Sequence, residues 1–253
     1  MTEEENIIPP QFERTQILLS DAGLACLASK HVVVAGMGGV GSYCAEALAR
    51  AGIGRLTIID HDVVATSNIN RQLPALLSTV NQPKVDLMAA RIRDINPECD
   101  LRMMREFIVP EIVTSQIPAD ADYVIDCIDS LNCKTALVEH CVKSGIPVAS
   151  SMGAGNRLDP SRIKLADLSK THGCPLAAMM RKRLKRRGIT KGVLTVFTDE
   201  PPMPPRPPEP VSGRGRPRAV NGTISYMPPL FGLMLAGEVI RRLLAKGKAQ
   251  PTA

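Results

Sequence analysis

The 253-residue sequence contains no tryptophan, and aromatic residues make up only 3% of it. Single-stranded nucleic acid is commonly gripped by aromatic side chains on which bases stack, so this scarcity argues against an aromatic platform. No Cys-x-x-Cys pair occurs among the seven cysteines, at positions 26, 44, 99, 127, 133, 141 and 174. That excludes a zinc ribbon and a redox dithiol of this type. Long hydrophobic runs are lacking too. The most membrane-like stretch, Met227–Ile240, falls short of the roughly 18 residues a span needs and holds Pro228, Pro229 and Glu238. It reads as a buried helix. The first residues, Met-Thr-Glu-Glu-Glu-Asn, are acidic and have no signal-peptide character. With an odd number of cysteines, this fits reduced thiols and a cytoplasmic location.

What remains is a globular balance, 44% apolar and 22% charged. It excludes a mainly disordered chain, a collagen and a coiled coil. The net charge of +6 is unevenly spread. Residues 157–191 hold eleven bases against two acids, a local +9 that leaves −3 on the rest. One region of the surface is therefore suited to a polyanion.

The first half alternates strand and helix patterns. His31–Ala35, Arg55–Asp60, Asp100–Ile108, Tyr123–Asp129 and Pro147–Ser151 read as strands. Ser42–Ala51, Lys84–Asn96 and Leu131–Ser144 read as helices between them. This rhythm calls for an α/β, Rossmann-like, doubly wound and mainly parallel sheet with helices on both faces. In the second half, strands at Ile163–Leu168 and Val193–Thr198 flank a basic helix, Leu176–Arg187, closed by Gly188. They are expected to extend the sheet in antiparallel fashion. Seven prolines within Pro201–Pro210 make a loop or linker that cannot be sheet interior. Gly222–Met227 is expected to return to the sheet, and a helix from Pro229 to Leu244 to close the chain. The whole reads as one domain. It has a nucleotide-binding core (10–155), a basic segment (156–200), a Pro/Gly-rich loop (201–218) and a closing strand and helix (219–246).

Gly36, Gly38, Gly39 and Gly41 lie in a Gly-Met-Gly-Gly-Val-Gly turn between the first strand and its helix. Glycines there let the backbone approach a phosphate, and the helix N-terminus offers free N–H groups. Asp60, 24 residues after Gly36, is placed to accept hydrogen bonds from a ribose. A polar loop follows, with Asn68, Asn70 and Arg71, and then Lys84 at the start of a helix. A dinucleotide dehydrogenase has no need of this loop, whereas a site that handles a triphosphate and releases pyrophosphate does. Asp126 and Asp129 close the fourth strand, at the sheet end where ligands bind. Singly, each has an ordinary alternative: Arg71 and Lys84 as solvated charges, Asn68 as a turn former, Asp129 as a helix cap. Asp126 reads as a structural strand-end residue.

The segments GMGGVGS, LTIIDHDVVATSNINRQ, QPK and DCIDS together resemble the ubiquitin-activating-enzyme-like adenylyltransferases, over roughly residues 10–155. The resemblance implies activation of a carboxylate with ATP. It implies that Asp60 binds the ribose, that Asn68, Arg71 and Lys84 contact phosphates, and that Asp129 holds Mg²⁺. It further implies a homodimer in which Arg14, on an opening helix, reaches the partner subunit's ATP site. Relatives that activate sulfur carriers typically hold zinc on two Cys-x-x-Cys pairs, which are absent here. The region 166–189 instead resembles the tRNA threonylcarbamoyladenosine dehydratases, extending the similarity to about residue 244. That implies ATP-dependent ring closure on a modified adenosine in tRNA. The same resemblance alone suggests a sulfur-relay acceptor protein as a further partner.

The basic helix gives this reading physical support. Arg181, Lys182, Arg183, Lys185, Arg186 and Arg187 are six charges in seven positions, enough to neutralise part of an RNA backbone. A solvated helix face is the ordinary alternative. Cys174 reads as a non-catalytic thiol, and His61 and His172 are unassigned. Three other functions remain open: adenylation of a sulfur carrier's C-terminal glycine, a non-catalytic nucleotide-binding regulator that grips RNA, and an NAD-dependent oxidoreductase.

Overall fold

The computed structural model describes residues 9–209 and 218–248. Its centre is a seven-stranded sheet in the order β3-β2-β1-β4-β5-β7-β6. The strands are β1 (His31–Ala35), β2 (Arg55–Ile59), β3 (Asp100–Met104), β4 (Tyr123–Asp126), β5 (Val148–Ser151), β6 (Ile163–Asp167) and β7 (Leu194–Thr198). All pairings are parallel except β6 with β7, which is the expected antiparallel extension. The chain order reverses between β1 and β4, so a crevice opens at their carboxyl ends.

Among the described residues seven α-helices accompany the sheet: α1 (Glu13–Ala28), α2 (Gly41–Arg50), α3 (Lys84–Ile95), α4 (Val113–Gln116), α5 (Leu131–Lys143), α6 (Pro175–Lys185) and α7 (Met227–Lys248). β1 is buried along its whole length and its side chains alternate between two cores. Val32 and Val34 meet Leu48, Met88 and Phe231 of α2, α3 and α7. Val33 and Ala35 meet Leu137, Cys141 and Met180 of α5 and α6. A strand sandwiched between helices on both faces reads as an unbroken apolar run, as HVVVA does. α1 is broken at Ser20, whose φ is +61°.

Several expected elements differ. β3 ends at Met104, because Arg105 turns to Asp86 while Ile108 enters the second core. Gly222–Met227 does not rejoin the sheet. Arg218–Val220 (β9) instead pairs with Arg206–Glu209 (β8) in a separate two-stranded ribbon. The proline-rich segment thus stays out of the sheet interior but supplies a ribbon strand, and its remainder, 210–217, lies outside the described residues. α7 starts at Met227, ahead of the two prolines, and runs past Leu244 to Lys248. Prolines fit a first helical turn because the N–H groups there have no intrahelical partner. Among the described residues no helix is long and apolar enough to cross a membrane.

Candidate active site

The glycine turn sits at the topological reversal and is built by close approach. Gly36 has φ +94°, and a Cβ on it would lie 2.9 Å from the Cys127 carbonyl oxygen at the end of β4. A Cβ on Gly41 would lie 1.7 Å from the Gly36 carbonyl oxygen. Neither position tolerates a side chain without moving backbone, so the first turn of α2 and the ends of β1 and β4 are locked together. Gly39 lies against the Arg71 backbone and Pro228, and Gly38 faces the Gln72 amide.

Asp60 directly follows β2 and is 9% exposed. Its Oδ2 accepts from the Met37 N–H at 2.6 Å and its Oδ1 from the Asp62 N–H at 2.8 Å. The carboxylate is thereby oriented by the glycine turn itself. Asn68 caps its own turn, Oδ1 accepting from the Ala65 N–H at 3.1 Å. Arg71 follows, its Nη1 donating to the Ser67 carbonyl and to Asn70 Oδ1, each at 2.9 Å. Partial burial pulls its guanidinium down from its ordinary value, yet arginine stays charged in proteins. Lys84 is only 4% exposed, and its Nζ donates to Asp62 Oδ2 at 2.9 Å. It is therefore a held cation and not a solvated one. Asp129 stands exposed in the turn between β4 and α5, with no hydrogen bond or ion pair among the described residues.

Gly36, Gly38, Gly39, Gly41, Asp60, Asn68, Arg71, Lys84 and Asp129 thus lie on turns after β1, β2 and β4 and on the start of α3. Arg14 is on the exposed first turn of α1, beside Ile17 and Leu18, which are 75% and 83% exposed.

Asp126 has the structural role the sequence suggests. It is fully buried, as is Lys134, whose Nζ donates to Asp126 Oδ2 at 2.6 Å and to the Ser151 carbonyl at 2.9 Å. The Ser150 hydroxyl donates to the same carboxylate, and Asp126 Oδ1 accepts from the Ile128 N–H at 3.1 Å. This network ties β4, β5, α5 and the turn bearing Asp129. Sequence reasoning missed Lys134, although a signal existed: it shares a helical stripe with Leu137, Val138 and Cys141. Asn70 was left without a role, yet its amide donates to the Thr223 carbonyl at 2.8 Å and so ties the polar loop to the segment preceding α7.

The neighbouring Cys44 thiol, and burial after it, push the Cys127 thiol well above its ordinary value. Cys174 is buried at the start of α6.

The basic helix is less free than its composition implies. Arg181 donates to the Thr171 hydroxyl, Arg183 to Asn132 Oδ1, and Arg187 Nε to Glu139 Oε2 at 2.7 Å. Lys182, Lys185 and Arg186 are exposed and have no protein partner among the described residues. Arg162 Nε pairs with Asp199 Oδ1 at 2.8 Å, and Lys164 also binds this carboxylate. These bases hold the Asp199 carboxyl well below the usual range. Arg183, Arg186 and Arg187 line an open pocket of about 430 Å³.

A glycine turn at the switch point, an acid fixed behind it, and held cations on the loop and helix that follow β2 define a nucleotide-binding α/β protein equipped for phosphate chemistry. The chain belongs to the ThiF family, whose family model matches residues 12–253. It is 44% identical over 240 residues to the tRNA threonylcarbamoyladenosine dehydratase of Bacillus subtilis, covering 92% of this chain and 94% of the relative. The crystal structure of the Escherichia coli tRNA N6-threonylcarbamoyladenosine dehydratase in complex with ATP superposes with a TM-score of 0.85. The two chains are 37% identical, and the match covers 95% of this chain and 96% of that one. The E. coli sulfur carrier protein ThiS adenylyltransferase is 32% identical over 148 residues, which is 56% of this chain and 59% of the relative.

Proposed function

We propose that this protein catalyses the ATP-dependent dehydration of N6-threonylcarbamoyladenosine in tRNA to its cyclic form. The observation that carries this reading is the extent of the similarity. It runs through the basic second half with the dehydratase, whereas with the sulfur-carrier adenylyltransferase it covers only 56% of the chain. Sulfur-carrier activation is therefore the second reading, and the absence of Cys-x-x-Cys pairs weighs against it.

In the proposed reaction the threonyl carboxylate attacks the α-phosphorus of ATP and pyrophosphate leaves. The carbamoyl group then attacks the acyl adenylate, the carboxylate oxygen departs with AMP, and a five-membered ring closes. Asp60 holds the ribose, and the turn Gly36–Gly41 and the start of α2 receive the phosphates. Asn68, Arg71 and Lys84 stabilise charge on the transferring and leaving phosphoryl oxygens. Asp129 would hold Mg²⁺. A single carboxylate plus substrate phosphates suits this ion, and Asp60 and Asp62 already spend oxygens on Met37 and Lys84. When bound, it would neutralise phosphate charge.

The exposed Ile17 and Leu18 beside Arg14 support a homodimer in which Arg14 completes the partner subunit's site. Lys182, Lys185 and Arg186, with support from Arg181, Arg183 and Arg187, serve the tRNA backbone. A cytoplasmic location and a sulfur-relay acceptor partner accompany the reading.

The test is to incubate the protein with ATP, Mg²⁺ and bulk tRNA and to weigh the nucleosides by mass spectrometry. Loss of one water from the modified adenosine is expected. Pyrophosphate release that depends on a sulfur-carrier protein and not on tRNA would favour the second reading.

A further inference from the structure

One face of α6 borders a slot that the adenylation reading does not use. Arg181, Leu184 and Lys185, three and four positions apart, share a face of the helix and line a cavity of about 210 Å³. The opposite wall is the segment that returns to β7. The floor is aliphatic: Leu168, Leu184, Ile189 and Val193, all buried. The rim carries three cations, Arg181, Lys185 and Lys191.

The walls are fixed by the protein itself. The Leu168 N–H donates to the Val193 carbonyl at 2.8 Å, and the Ile189 N–H to the Leu184 carbonyl at 3.0 Å. The Gly192 N–H donates to Asp167 Oδ2 at 2.7 Å, while Asp167 Oδ1 accepts from Ser169. Asp167, next in the chain to the lining residue Leu168, is thus occupied. Arg181 is oriented by the Thr171 hydroxyl.

An RNA backbone alone needs no aliphatic floor, and an apolar small molecule needs no cations. The slot far exceeds the share of about 30 Å³ that one water takes. It falls below the roughly 300–1,000 Å³ of clefts for drug-sized ligands. A single heterocyclic base fits between these limits. Proteins hold unstacked RNA bases on aromatic rings, on guanidinium planes or between apolar side chains. With no tryptophan and 3% aromatic residues, this chain has mainly the last two means at its disposal.

We propose that the slot receives one unstacked base of the RNA substrate, with the adjoining phosphates on Arg181, Lys185 and Lys191. This rests on the RNA-substrate reading above.

The experiment uses the full chain and a tRNA transcript carrying 4-thiouridine. Irradiation is expected to crosslink RNA to peptides within residues 168–193. Thr190→Trp, at an exposed position lining the slot, should fill it. RNA affinity should fall about five-fold or more, the worth of one stacked base. The slope of log K against log salt, the ATP affinity and the melting temperature should not change. Lys185→Gln with Lys191→Gln should instead lower that slope by about 0.7 to 0.9 for each phosphate no longer neutralised.

Crosslinks confined to other segments, or Thr190→Trp binding RNA within two-fold of wild type, would overturn the proposal. Unchanged RNA affinity with weakened binding of an acidic, leucine-bearing peptide would assign the slot to a protein partner. Dehydration is followed in parallel on bulk tRNA, which carries the modified adenosine. A wild-type protein that crosslinks RNA in the slot but removes no water refutes the proposed reaction and keeps the slot. One that removes water while Thr190→Trp is indifferent refutes only the slot. A wild-type protein without RNA affinity refutes both.

Discussion

Lys134→Met should unfold this protein far more readily than a conservative helix substitution normally does. Methionine matches lysine closely in length and helix propensity, so α5 itself is not penalised. What is lost is the ammonium that neutralises Asp126, and both side chains are fully buried. Removing one partner of a buried ion pair leaves an uncompensated charge, at a cost of about 3–5 kcal/mol. For a chain of this size each kcal/mol moves the melting temperature by roughly 2–4 °C, so a fall of about 6–20 °C is expected. Replacing both groups, Asp126→Leu with Lys134→Met, removes the charge as well as its partner and should recover more than half of the loss. The remainder, about 1–2 kcal/mol, reflects the Ser150 hydroxyl and Ile128 N–H left without an acceptor. Urea unfolding of wild type, both single variants and the pair closes a double-mutant cycle. A Lys134→Met cost under about 1 kcal/mol, or a double variant no more stable than the single, would refute the reasoning.

Asp129→Ala should reduce AMP formation by about 10²-fold or more through loss of charge stabilisation at the phosphates. Its melting temperature should stay unchanged, because the carboxylate is exposed and bonded to nothing in the described chain; activity within a few-fold of wild type would sink the assignment. Mixing Arg14→Ala and Asp129→Ala chains should restore activity at one site of each heterodimer, and no recovery after confirmed subunit exchange would place Arg14 in its own subunit's site or in none. Burial, with Arg55 adding to it, lowers the His31 imidazole below 6.5, against opposing carboxylates of Asp120 and Asp122. A depressed histidine contributes stability that is present above the unfolded value and lost as pH falls through about 6.5 toward the folded value. The slope is at most about 1.4 kcal/mol per pH unit. His31→Gln should flatten the urea midpoint over that window, and an unchanged pH dependence would remove His31 as its source.

The nucleotide crevice was legible because its signals are local. A β-branched run, a glycine turn and a helix lie within twenty residues, and the acid after β2 falls at a fixed reach from them. The antiparallel β6–β7 pair was legible for the same reason, as two apolar runs on either side of a helix. The errors came where distant partners decide. Arg218–Val220 forms a strand only because Arg206–Glu209 lies beside it, and nothing in Gly222–Met227 announces that the main sheet is closed to it. Pro228 and Pro229 read as breakers in isolation, while the packing of Met227 and Phe231 into the core makes them a first helical turn. Lys134 was hidden because a lysine is read as surface by default. The basic helix was overcounted, since Asn132 and Glu139, which hold two of its arginines, lie some fifty residues upstream.

That last correction links the two halves of the proposed function. α5 starts directly after the turn bearing Asp129, and the same helix supplies Asn132 to Arg183 of α6 and Glu139 to Arg187, two residues past the end of α6. Asn132 is three positions from Asp129, so Arg183 is anchored within one helical turn of the crevice rim. The Lys134 network fixes that end of α5 from below, through β4 and β5. In the proposed function a polyanion held on α6 would therefore be presented beside the crevice by a helix tied to α5. Such an arrangement suits chemistry that must bring a carboxylate on a large RNA to a triphosphate with little freedom lost at the moment of reaction. It also makes arginines tied to α5 compatible with the proposed RNA binding. Their bonds to Asn132 and Glu139 set the position of α6, and Lys182, Lys185 and Arg186 remain available for phosphates.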